Sequence, residues 1–474
     1  ATVARELGGA LLVWNLGLPG RGEALCGALT RLGPVWLKLG QTMATRPDLI
    51  GGDAAAALKA LHDGVAPFSS SEASAVLRAE LGVPEGAPLA SPEGSAPFSR
   101  LSAEPVAAAS LGQVYRAALP GGAEVAVKVQ RPGVLKLVAK DVYVLRLLLD
   151  ALQRQLERRR ESKRRRAGIA GSGGGSADLK EIADEVGAGV FQELDYRNEA
   201  ANCEEFNRRH AFLSYTRAPG VVREYTSTRV LCLEWIDGSP ISDLSPERQL
   251  LMVRLAVQAS VAQLIRSGYV HADPHEGNML LTADDTLVWL DMGLMAEVDP
   301  TNMEAFASGI CHMLAGDWVS LAYDFRDIGI APPGGFERVD PGTGERVPIS
   351  AEEYAEGIKE GMLGQGDDGT RRFGALATGL GSVSNRFRFA CPPFIILLCR
   401  TFLTLEGIAA KVDPGFNIYT AALPYAVRRA LSPESERGKS TLREALLDKE
   451  NRFKWEQFQR TLDQVATLAG GAAE

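Results

Sequence analysis

Four polar residues in three separate motifs belong to types that handle phosphate groups and metal ions. Lys128 interrupts the apolar strand pattern Val125–Val129. Asp273 and Asn278 lie in one polar loop, and Asp291 follows an apolar run. A lysine is costly to bury unless it faces an anion, and hard cations prefer carboxylate and amide oxygens. The sequence therefore predicts a site for a phosphate-bearing ligand together with a divalent cation.

The order of these motifs is that of the protein kinases. Val-Ala-Val-Lys ends at Lys128, His-x-Asp-x-x-x-x-Asn spans His271–Asn278, and Asp-Met-Gly starts at Asp291, where kinases have Asp-Phe-Gly. Taken singly, Lys128 could be an edge-strand lysine and Asp273 could cap a turn. Three motifs in the right order predict a kinase-like site for ATP and Mg²⁺. Its predicted catalytic residues are Lys128, Asp273, Asn278 and Asp291, of which Asn278 and Asp291 are the metal ligands.

Residue patterns predict the elements that position these motifs. β-Branched residues in Gly112–Ala118 and Glu124–Gln130, around a Pro-Gly-Gly turn, predict a hairpin that carries Lys128. A helix is expected from Pro34 to about Thr45, because proline suits a first helical position. A second helix should cover roughly 134–157. Apolar residues at helical spacing then predict one long helix that begins at a capping box starting at Asp178.

A basic and then glycine- and serine-rich stretch at about 155–177 predicts a linker. Its basic run is expected to be a solvated helix end, with contact to anionic lipid as the alternative. Short strands around 220–236 and a helical pattern from 245 onward predict an α+β fold, two-lobed and protein-kinase-like, with an N-terminal helical extension. The expected domains are the extension (1–97), an N-lobe (98–236), a helical C-lobe (237–430) and a helical tail (431–474).

Composition excludes some classes of protein. The 474-residue chain has a formal net charge of −8, which argues against nucleic acid as a partner. Six scattered cysteines without a C-x-x-C pair favour a reducing compartment. No transmembrane helix is expected, because the most apolar stretch, Phe389–Leu405, is interrupted by prolines and by Arg400. Arg400 and Glu406 are expected to form structural ion pairs rather than a site.

Several longer motifs resemble the aarF/UbiB family of atypical kinases, also called the ADCK family, over nearly the whole chain. Lys38–Gln41 is similar to the family's K-x-G-Q motif, Ala107–Val114 to its alanine-rich loop, and Glu193–Asp195 to its E-x-D segment. His271–His275 matches the family's form of the catalytic loop. The resemblance implies a kinase-like fold with ATP or ADP and Mg²⁺ as ligands.

The resemblance also implies roles for particular residues. Glu199 should pair with Lys128 and is thereby a fifth predicted catalytic residue, and Lys38 should meet the E-x-D acids in a regulatory cover. If Asp195 and Glu199 lie on one regular helix, Glu193 points away from both, so either E-x-D acid could be the partner of Lys38. The regulatory residues are Lys38, Gln41, Glu193 and Asp195. The nucleotide-binding residues are Ala107, Ala108, Ala109, Ser110, Leu111, Gly112, Gln113, Val114, Lys128, Glu234, Trp235 and Ile236.

The alanine-rich loop differs from the glycine-rich loop of ordinary kinases. Glycine lets a backbone lie against phosphates, whereas the Cβ atoms of Ala107–Ala109 favour helical geometry. The loop is therefore expected to hold a triphosphate differently, and in the family it disfavours ordinary protein phosphorylation.

Three functions fit these observations. The resemblance implies an atypical kinase or ATPase that supports prenyl-quinone or other isoprenoid-lipid metabolism at a membrane surface. A genuine Ser/Thr protein kinase and a nucleotide-sensing scaffold without turnover are the alternatives. The segment Asp413–Asn417 and the terminal Phe453–Trp455 are more similar to plastid members than to mitochondrial ones. A chloroplast location, at plastoglobules or thylakoids, is therefore expected ahead of a mitochondrion.

Overall fold

The computed structural model divides the chain into two compact units. Unit 1 comprises Ala1–Glu204 and Pro219–Trp235, and unit 2 comprises Glu205–Ala218 and Ile236–Glu474. Residues 205–218, assigned to the first lobe by the sequence, therefore group with unit 2. The residues that the structure describes are 2–44, 52–58, 61, 67–109, 111–167, 179–332, 334–339, 346–363, 373–374, 386–387, 393–413, 415–436, 439 and 443.

Both units combine helices with short strands. The described helices are α1 (Thr2–Asn15), α2 (Arg21–Leu32), α3 (Pro34–Ala44), α4 (Gly52–Leu58), α5 (Ser70–Leu81), α6 (Val134–Ala167), α7 (Leu179–Glu193), α8 (Tyr196–Arg209), α9 (Pro246–Ala262), α10 (Pro300–Ala315), α11 (Trp318–Asp327), α12 (Ala351–Leu363), α13 (Pro393–Val412) and α14 (Ile418–Ala430). The described strands are β1 (Arg100–Leu101), β2 (Ala107–Ala108), β3 (Gly112–Ala118), β4 (Glu124–Gln130), β5 (Thr216–Arg217), β6 (Val230–Glu234), β7 (Gly238–Ser239), β8 (Tyr269–His271), β9 (Met279–Thr282), β10 (Leu287–Trp289), β11 (Met295–Glu297), β12 (Phe336–Val339) and β13 (Arg346–Ile349).

The sheet of unit 1 is antiparallel and has the order β1-β3-β4-β6, with β2 also paired to β3. The predicted hairpin is confirmed, because β3 and β4 have the predicted bounds and pair along their full length. Val125, Val127 and Val129 of β4 are buried in a core that includes Phe98 and Leu77. The alternation of β4 therefore turns Ala126 and Lys128 to the opposite face of the sheet.

Helices α1–α4, α6 and α7 pack around a second core, in which Trp36, Val138, Leu145 and Val190 are fully buried. The predicted helix from Pro34 is confirmed as α3. The helix expected to end near 157 continues to Ala167, so the first half of the predicted linker is helical. Gly168–Asp178, which include the rest of that linker and the first residue of the predicted capping box, lie outside the described residues.

The prediction of one long helix after the linker was wrong. The segment is divided at Leu194 and Asp195 into α7 and α8. The N–H of Leu194 donates to the carbonyl of Phe191 and that of Asp195 to the carbonyl of Gln192, so α7 ends in tightened i→i+3 bonds. Apolar periodicity does not reveal such a break, because the buried Leu194 and Tyr196 on either side of Asp195 continue the apolar pattern.

Unit 2 holds a four-stranded sheet of order β5-β10-β9-β7 and two separate strand pairs, β8 with β11 and β12 with β13. Only the β5–β10 pairing is parallel among these. The expectation of a mainly helical pattern from 245 onward missed β8, β9, β11, β12 and β13, whereas the apolar run before Asp291 forms β10. Strands of two to four residues present too few positions for an alternation to be recognised.

Helix α9 continues through a π-helical turn, Gln263–Ser267, and stops at Gly268, where φ is 66°. A Cβ atom on Gly268 would lie 2.4 Å from the carbonyl oxygen of Val298, so only glycine fits this turn. The span Pro246–Ser267 is long and apolar enough to cross a membrane, but 61% of its most apolar window is buried in the protein. That burial is typical of a core helix. Helix α13 is the apolar helix that Phe389–Leu405 predicted.

Protonation of His210 should destabilise unit 2 in acid. The ring is buried, with Nδ1 2.9 Å from the carbonyl oxygen of Phe206 and Nε2 2.7 Å from Ser267 Oγ. Burial lowers the pKa of His210 to about 4, from 6.5 in an exposed histidine. The unfolded chain therefore takes up a proton first, so stability is complete above pH 6.5 and is lost as pH falls towards 4. This single group accounts for about 3 kcal/mol.

Urea unfolding of the wild type and of His210→Gln between pH 7 and pH 4 measures this effect. We expect the variant to lose less stability than the wild type over that range, whatever its stability at pH 7. Equal slopes in the two proteins would contradict the prediction. His271, whose pKa burial also lowers, should leave part of the slope in the variant.

Candidate active site

In unit 1, Lys128 and Glu199 form an ion pair that uses both carboxylate oxygens. Lys128 Nζ donates to Glu199 Oε1 at 3.0 Å and to Oε2 at 2.8 Å. The Glu199 side chain is only 7% exposed and that of Lys128 is 20% exposed. The ring of Tyr196 adds a second contact, with its centroid 5.2 Å from Nζ. The structure thus pairs the strand lysine with the glutamate that the family resemblance assigned to it.

Asp195 does not share a helical face with Glu199, as a regular helix would require. It lies before α8, where its Oδ1 accepts a bond from the N–H of Arg197 at 3.1 Å. Arg197 also holds both carboxylate oxygens, which lowers the pKa of Asp195. Asp195 therefore caps α8. The regular helix that was expected to carry both Asp195 and Glu199 therefore carries only Glu199.

Lys38 contacts Glu193 at the end of α7. Their side chains are 18% and 20% exposed, so Lys38 is not an ordinary solvated helix lysine. Together with Pro34, Leu37, Gln41, Leu111 and Val190 they line a cavity of about 30 Å³. Of the two acids that the E-x-D segment offered to Lys38, the structure selects Glu193.

The alanine-rich loop is extended rather than helical. Ala107 and Ala108 form β2, which pairs with Val114 and Gln113 of β3, and the N–H of Ala109 donates to the carbonyl of Gly112 at 2.8 Å. The expectation of helical geometry was therefore wrong, since the ladder with β3 overrides the helix propensity of alanine. Ser110 lies outside the described residues.

Gly112 marks the closest approach of backbone to this site. A Cβ atom there would lie 2.4 Å from Tyr196 Oη and 2.7 Å from the carbonyl oxygen of Val129. Leu111 is buried, and Gln113 Nε2 donates to Tyr115 Oη at 2.6 Å. Gly112 therefore brings the loop up against the tyrosine that contacts Lys128.

Three of the predicted nucleotide-binding residues, Glu234, Trp235 and Ile236, lie at the end of strand β6 and directly after it. The N–H of Glu234 donates to the carbonyl of Gly220 at 2.7 Å, and that of Trp235 donates to the carbonyl of Glu124 at 3.1 Å. The ring of Trp235 lies under the guanidinium of Arg116, 4.5 Å from its centroid. Ile236 begins the next stretch of unit 2. Both N–H groups are thus already bonded within the protein.

In unit 2, the ring of His271 fastens the catalytic loop to the end of β10. His271 Nε2 donates to the carbonyl oxygen of Asp291 at 2.5 Å, and Nδ1 accepts a bond from the N–H of Asp273 at 3.3 Å. Burial lowers the pKa of His271, so the ring stays neutral and can make both bonds. The ring also stacks on Trp289, with centroids 5.1 Å apart.

Asn278 is bonded both to Asp273 and to the residue that precedes Asp291. Its side-chain Nδ2 donates to the backbone carbonyl oxygen of Asp273 at 3.3 Å, and its backbone carbonyl oxygen accepts the N–H of Leu290 at 2.8 Å. Asp291 Oδ1 accepts the N–H of Gly293 at 2.8 Å. Unit 2 thus brings Asp273, Asn278 and Asp291 into one bonded neighbourhood.

These residues fit a magnesium ion by the chemistry of their donors. An amide oxygen on Asn278 and a carboxylate on Asp291 are hard oxygen ligands, and Mg²⁺ commonly takes few protein ligands and completes its shell with water and phosphate. Among the described residues no group of three or more His, Cys, Asp or Glu side chains is arranged to hold a metal ion. A site that depends on one carboxylate and one amide would not form such a group.

Arg400 was expected to be merely structural, yet it pairs with the predicted catalytic aspartate. Its Nη2 lies 2.9 Å from Asp273 Oδ1 and donates to the carbonyl oxygen of Ala272 at 3.2 Å. The next residue of α13, Thr401, is buried and donates to the carbonyl oxygen of His271 at 3.4 Å. Helix α13 therefore holds three consecutive residues of the catalytic loop.

The sequence contains one feature from which this contact could have been predicted. Kinases have an arginine before the catalytic aspartate, in H-R-D, whereas this chain has Ala272. The catalytic loop lacks that arginine, and Arg400 is an isolated arginine in an apolar helix. Together these two features indicate that Arg400 supplies the positive charge from another part of the chain. Glu406 in the same helix has a structural role, since its oxygens accept the N–H groups of Phe373 and Gly374 at 2.5 and 2.7 Å.

A strand lysine held by a helix glutamate, together with an H-x-D loop fastened to an Asp-x-Gly turn, defines a protein-kinase-like chain. Comparison with known families makes the assignment specific. The ABC1 atypical kinase-like domain matches residues 60–324, which is more than half of the chain, and the UbiB helical domain matches residues 372–417. The chain belongs to the ABC1/UbiB family of atypical kinases, and the resemblance stated from the motifs is confirmed.

The relatives include plant and bacterial proteins. An uncharacterized aarF domain-containing protein kinase of Arabidopsis thaliana, chloroplastic, is 32% identical over 89% of this chain and 55% of its own length. The Arabidopsis protein ACTIVITY OF BC1 COMPLEX KINASE 3, chloroplastic, is 32% identical over 92% and 57%. The probable protein kinase UbiB of Marinobacter nauticus is 28% identical over 87% and 71%. The chain thus spans little more than half the length of the two plant relatives.

A double-mutant cycle on Arg400→Met and Asp273→Asn should show that these residues are coupled. Arg400 is 16% exposed and Asp273 is 31% exposed, so the pair is partly shielded from water. We expect a coupling free energy on the order of 1 kcal/mol in urea unfolding. The matched control is Lys411→Met with Glu276→Gln, a more exposed pair between the same helix and the same loop. That pair should couple by less than about 0.5 kcal/mol. Equal coupling in the two cycles would contradict the prediction.

Proposed function

We propose that this chain binds ATP with Mg²⁺ and acts as an atypical kinase or ATPase. The observation that carries the proposal is the two-oxygen pairing of Lys128 with Glu199. A lysine held in this way by a glutamate is the arrangement that presents an ammonium group to nucleotide phosphates in kinases. Purely structural lysines rarely occupy such a shielded place on an apolar strand.

The residues of unit 2 have complementary roles in the proposal. Asn278 and Asp291 hold Mg²⁺, which when bound supplies positive charge to the phosphates. Asp273 orients the attacking hydroxyl or water. Arg400 is a positioning residue that keeps one oxygen of Asp273 occupied, so that the other oxygen serves the acceptor. Phosphoryl transfer demands positioning and charge neutralisation rather than covalent chemistry, and these residue types suit that demand.

Nucleotide contacts are assigned to the alanine-rich loop and to the residues after β6. The loop hairpin of β2 and β3 adjoins the tyrosine that contacts Lys128, which supports a role in phosphate binding. With the N–H groups of Glu234 and Trp235 already bonded, their carbonyl oxygens and the N–H of Ile236 are the groups assigned to adenine.

For the acceptor, we propose a small molecule of prenyl-quinone or isoprenoid-lipid metabolism, handled at a membrane surface in the plastid. Two relatives with 32% identity are chloroplastic proteins, which supports the plastid. Plastoglobules and thylakoids are the plastid membranes proposed. The mitochondrion is the alternative location.

Turnover measurements test the nucleotide part of the proposal. Asp291→Asn keeps the size of the side chain and removes a charge that Mg²⁺ needs, so ADP release should fall by about 100-fold or more. Lys128→Met should abolish turnover too, but it leaves the buried Glu199 without its lysine partner and so costs about 3–5 kcal/mol of stability. Lys359→Met, at a surface lysine of unit 2, is the control and should behave as wild type. Undiminished ADP release by Asp291→Asn would refute the assignment.

The acceptor is tested in the same assay. We expect ADP release to rise when a phenolic quinone precursor is added with detergent, and to stay constant when a generic protein substrate is added. Stoichiometric phosphorylation of the protein substrate would favour a protein kinase instead. Tight nucleotide binding without any ADP release would favour a scaffold.

The contact between Lys38 and Glu193 is proposed to regulate nucleotide choice. Lys38→Ala should change the ratio of ATP to ADP affinity by about fivefold or more, the lower end of coupling between sites. Glu193→Gln should change the ratio in the same direction, because both variants break one contact. Arg21→Ala removes an exposed ion pair with Asp53 in the same region and serves as the control. If neither Lys38→Ala nor Glu193→Gln shifts the ratio, the regulatory role falls.

A further inference from the structure

The outer face of α6 is exposed and apolar at its centre. The helix has 34 residues and is about 50 Å long. Its inner face, with Val134, Val138 and Leu145, is buried in the core of unit 1. On the outer face, Tyr143 is 64% exposed and Leu147 is 50% exposed. Exposed large apolar side chains that lie next to each other on one helix face are uncommon on a surface that faces only water.

One row of side chains along this face has a regular arrangement. We name it the outer row, and at spacings of three and four it comprises Lys136, Lys140, Tyr143, Leu147, Ala151, Arg154 and Arg158. All seven residues are exposed. Basic side chains thus stand at both ends of the row and apolar ones at its centre.

The charge of α6 is opposite to that of the protein. Residues 134–167 contain 11 lysines and arginines and 4 acidic residues, a net charge of +7, in a chain whose net charge is −8. The remaining residues therefore carry −15. One of the 4 acids, Asp141, is on the buried face. Lys136 and Lys140 make no ion pair within the described part of the chain, so their positive charges are available to a partner, whereas Arg154 is paired with Asp150.

We propose that the outer row of α6 lies on an anionic lipid bilayer. A helix that is basic at its ends and exposes leucine and tyrosine between them matches an interfacial helix, whose apolar side chains enter the headgroup boundary while its cations meet lipid phosphates. An acidic protein would satisfy the lysines and arginines, but it offers no general reason for exposed leucines along the same row. The inference depends on the proposed function only in the choice of lipid as the partner class.

Vesicle sedimentation of the full chain tests this surface. The probes are vesicles of phosphatidylcholine alone and vesicles with added phosphatidylglycerol. We expect binding only to the second kind, reduced by salt. Tyr143→Ser with Leu147→Ser should lower the partition coefficient by about tenfold or more. Lys136→Glu with Lys140→Glu should lower it by a similar factor, since each basic residue near an anionic surface adds roughly fivefold.

Matched controls lie on unit 2. Tyr323→Ser with Leu431→Ser removes an exposed tyrosine and leucine, and Lys359→Glu with Arg386→Glu makes the same charge change as the lysine pair. Both controls should bind vesicles as the wild type does. Absence of vesicle binding by the wild type, or equal losses in variants and controls, would overturn the proposal. If the charge variant lost binding and the apolar variant kept it, the row would be a plain electrostatic surface, suited to an acidic protein and not to a bilayer.

Nucleotide binding measured in the same variants separates this inference from the proposed function. Every outer-row variant should bind ATP as the wild type does. Loss of vesicle binding with normal nucleotide binding supports the surface alone. Normal vesicle binding in Asp291→Asn, which is expected to lose turnover, shows that the two properties are independent.

Discussion

The burial of one ammonium group constrains most of unit 1. Lys128 lies on a strand whose neighbouring valines are fully buried, and its charge is tolerable there only because Glu199 gives it both carboxylate oxygens. The pair in turn requires α8 to begin close to β4, which the Asp195 cap and the tyrosine at the first helical position achieve. Gly112 is then obligatory, because the same tyrosine occupies the space that a Cβ atom would need.

In unit 2 the neutral ring of His271 fixes the positions of two segments. His271 is buried and accepts one bond while donating another, so a single uncharged side chain fixes both the catalytic loop and the turn that carries Asp291. A protonated ring could not accept the bond from Asp273. The positive charge near Asp273 comes instead from Arg400, a residue of α13 that lies within the match to the UbiB helical domain. In this chain the loop is therefore bonded to a helix of the UbiB helical domain within unit 2.

The sequence predicted the elements that carry strong local signals. The β3–β4 hairpin, α3 and the apolar helix α13 could be predicted from the sequence. Their signals are local: alternation of residues, a proline in the first turn and a continuous apolar run. The lysine–glutamate pairing came from family resemblance and not from spacing. What failed was either too short to show a period, as with the strands of unit 2, or was decided by tertiary contacts. The extended Ala107–Ala108 and the partner of Arg400 are of this second kind.

The break between α7 and α8 lies between two glutamates, six positions apart, that serve different lysines. On one continuous helix Glu193 and Glu199 would be separated by about 120° and roughly 9 Å of rise, in a fixed relation. The interruption at Leu194 and Asp195 frees that relation, so Glu193 ends one helix beside Lys38 and Glu199 lies in the first turn of the next beside Lys128. The two ion pairs are then linked through only two non-helical residues. A displacement of α3 that moved Lys38 would act on the end of α7, and Asp195, fixed by Arg197, is the short link through which it would reach the helix that holds the strand lysine.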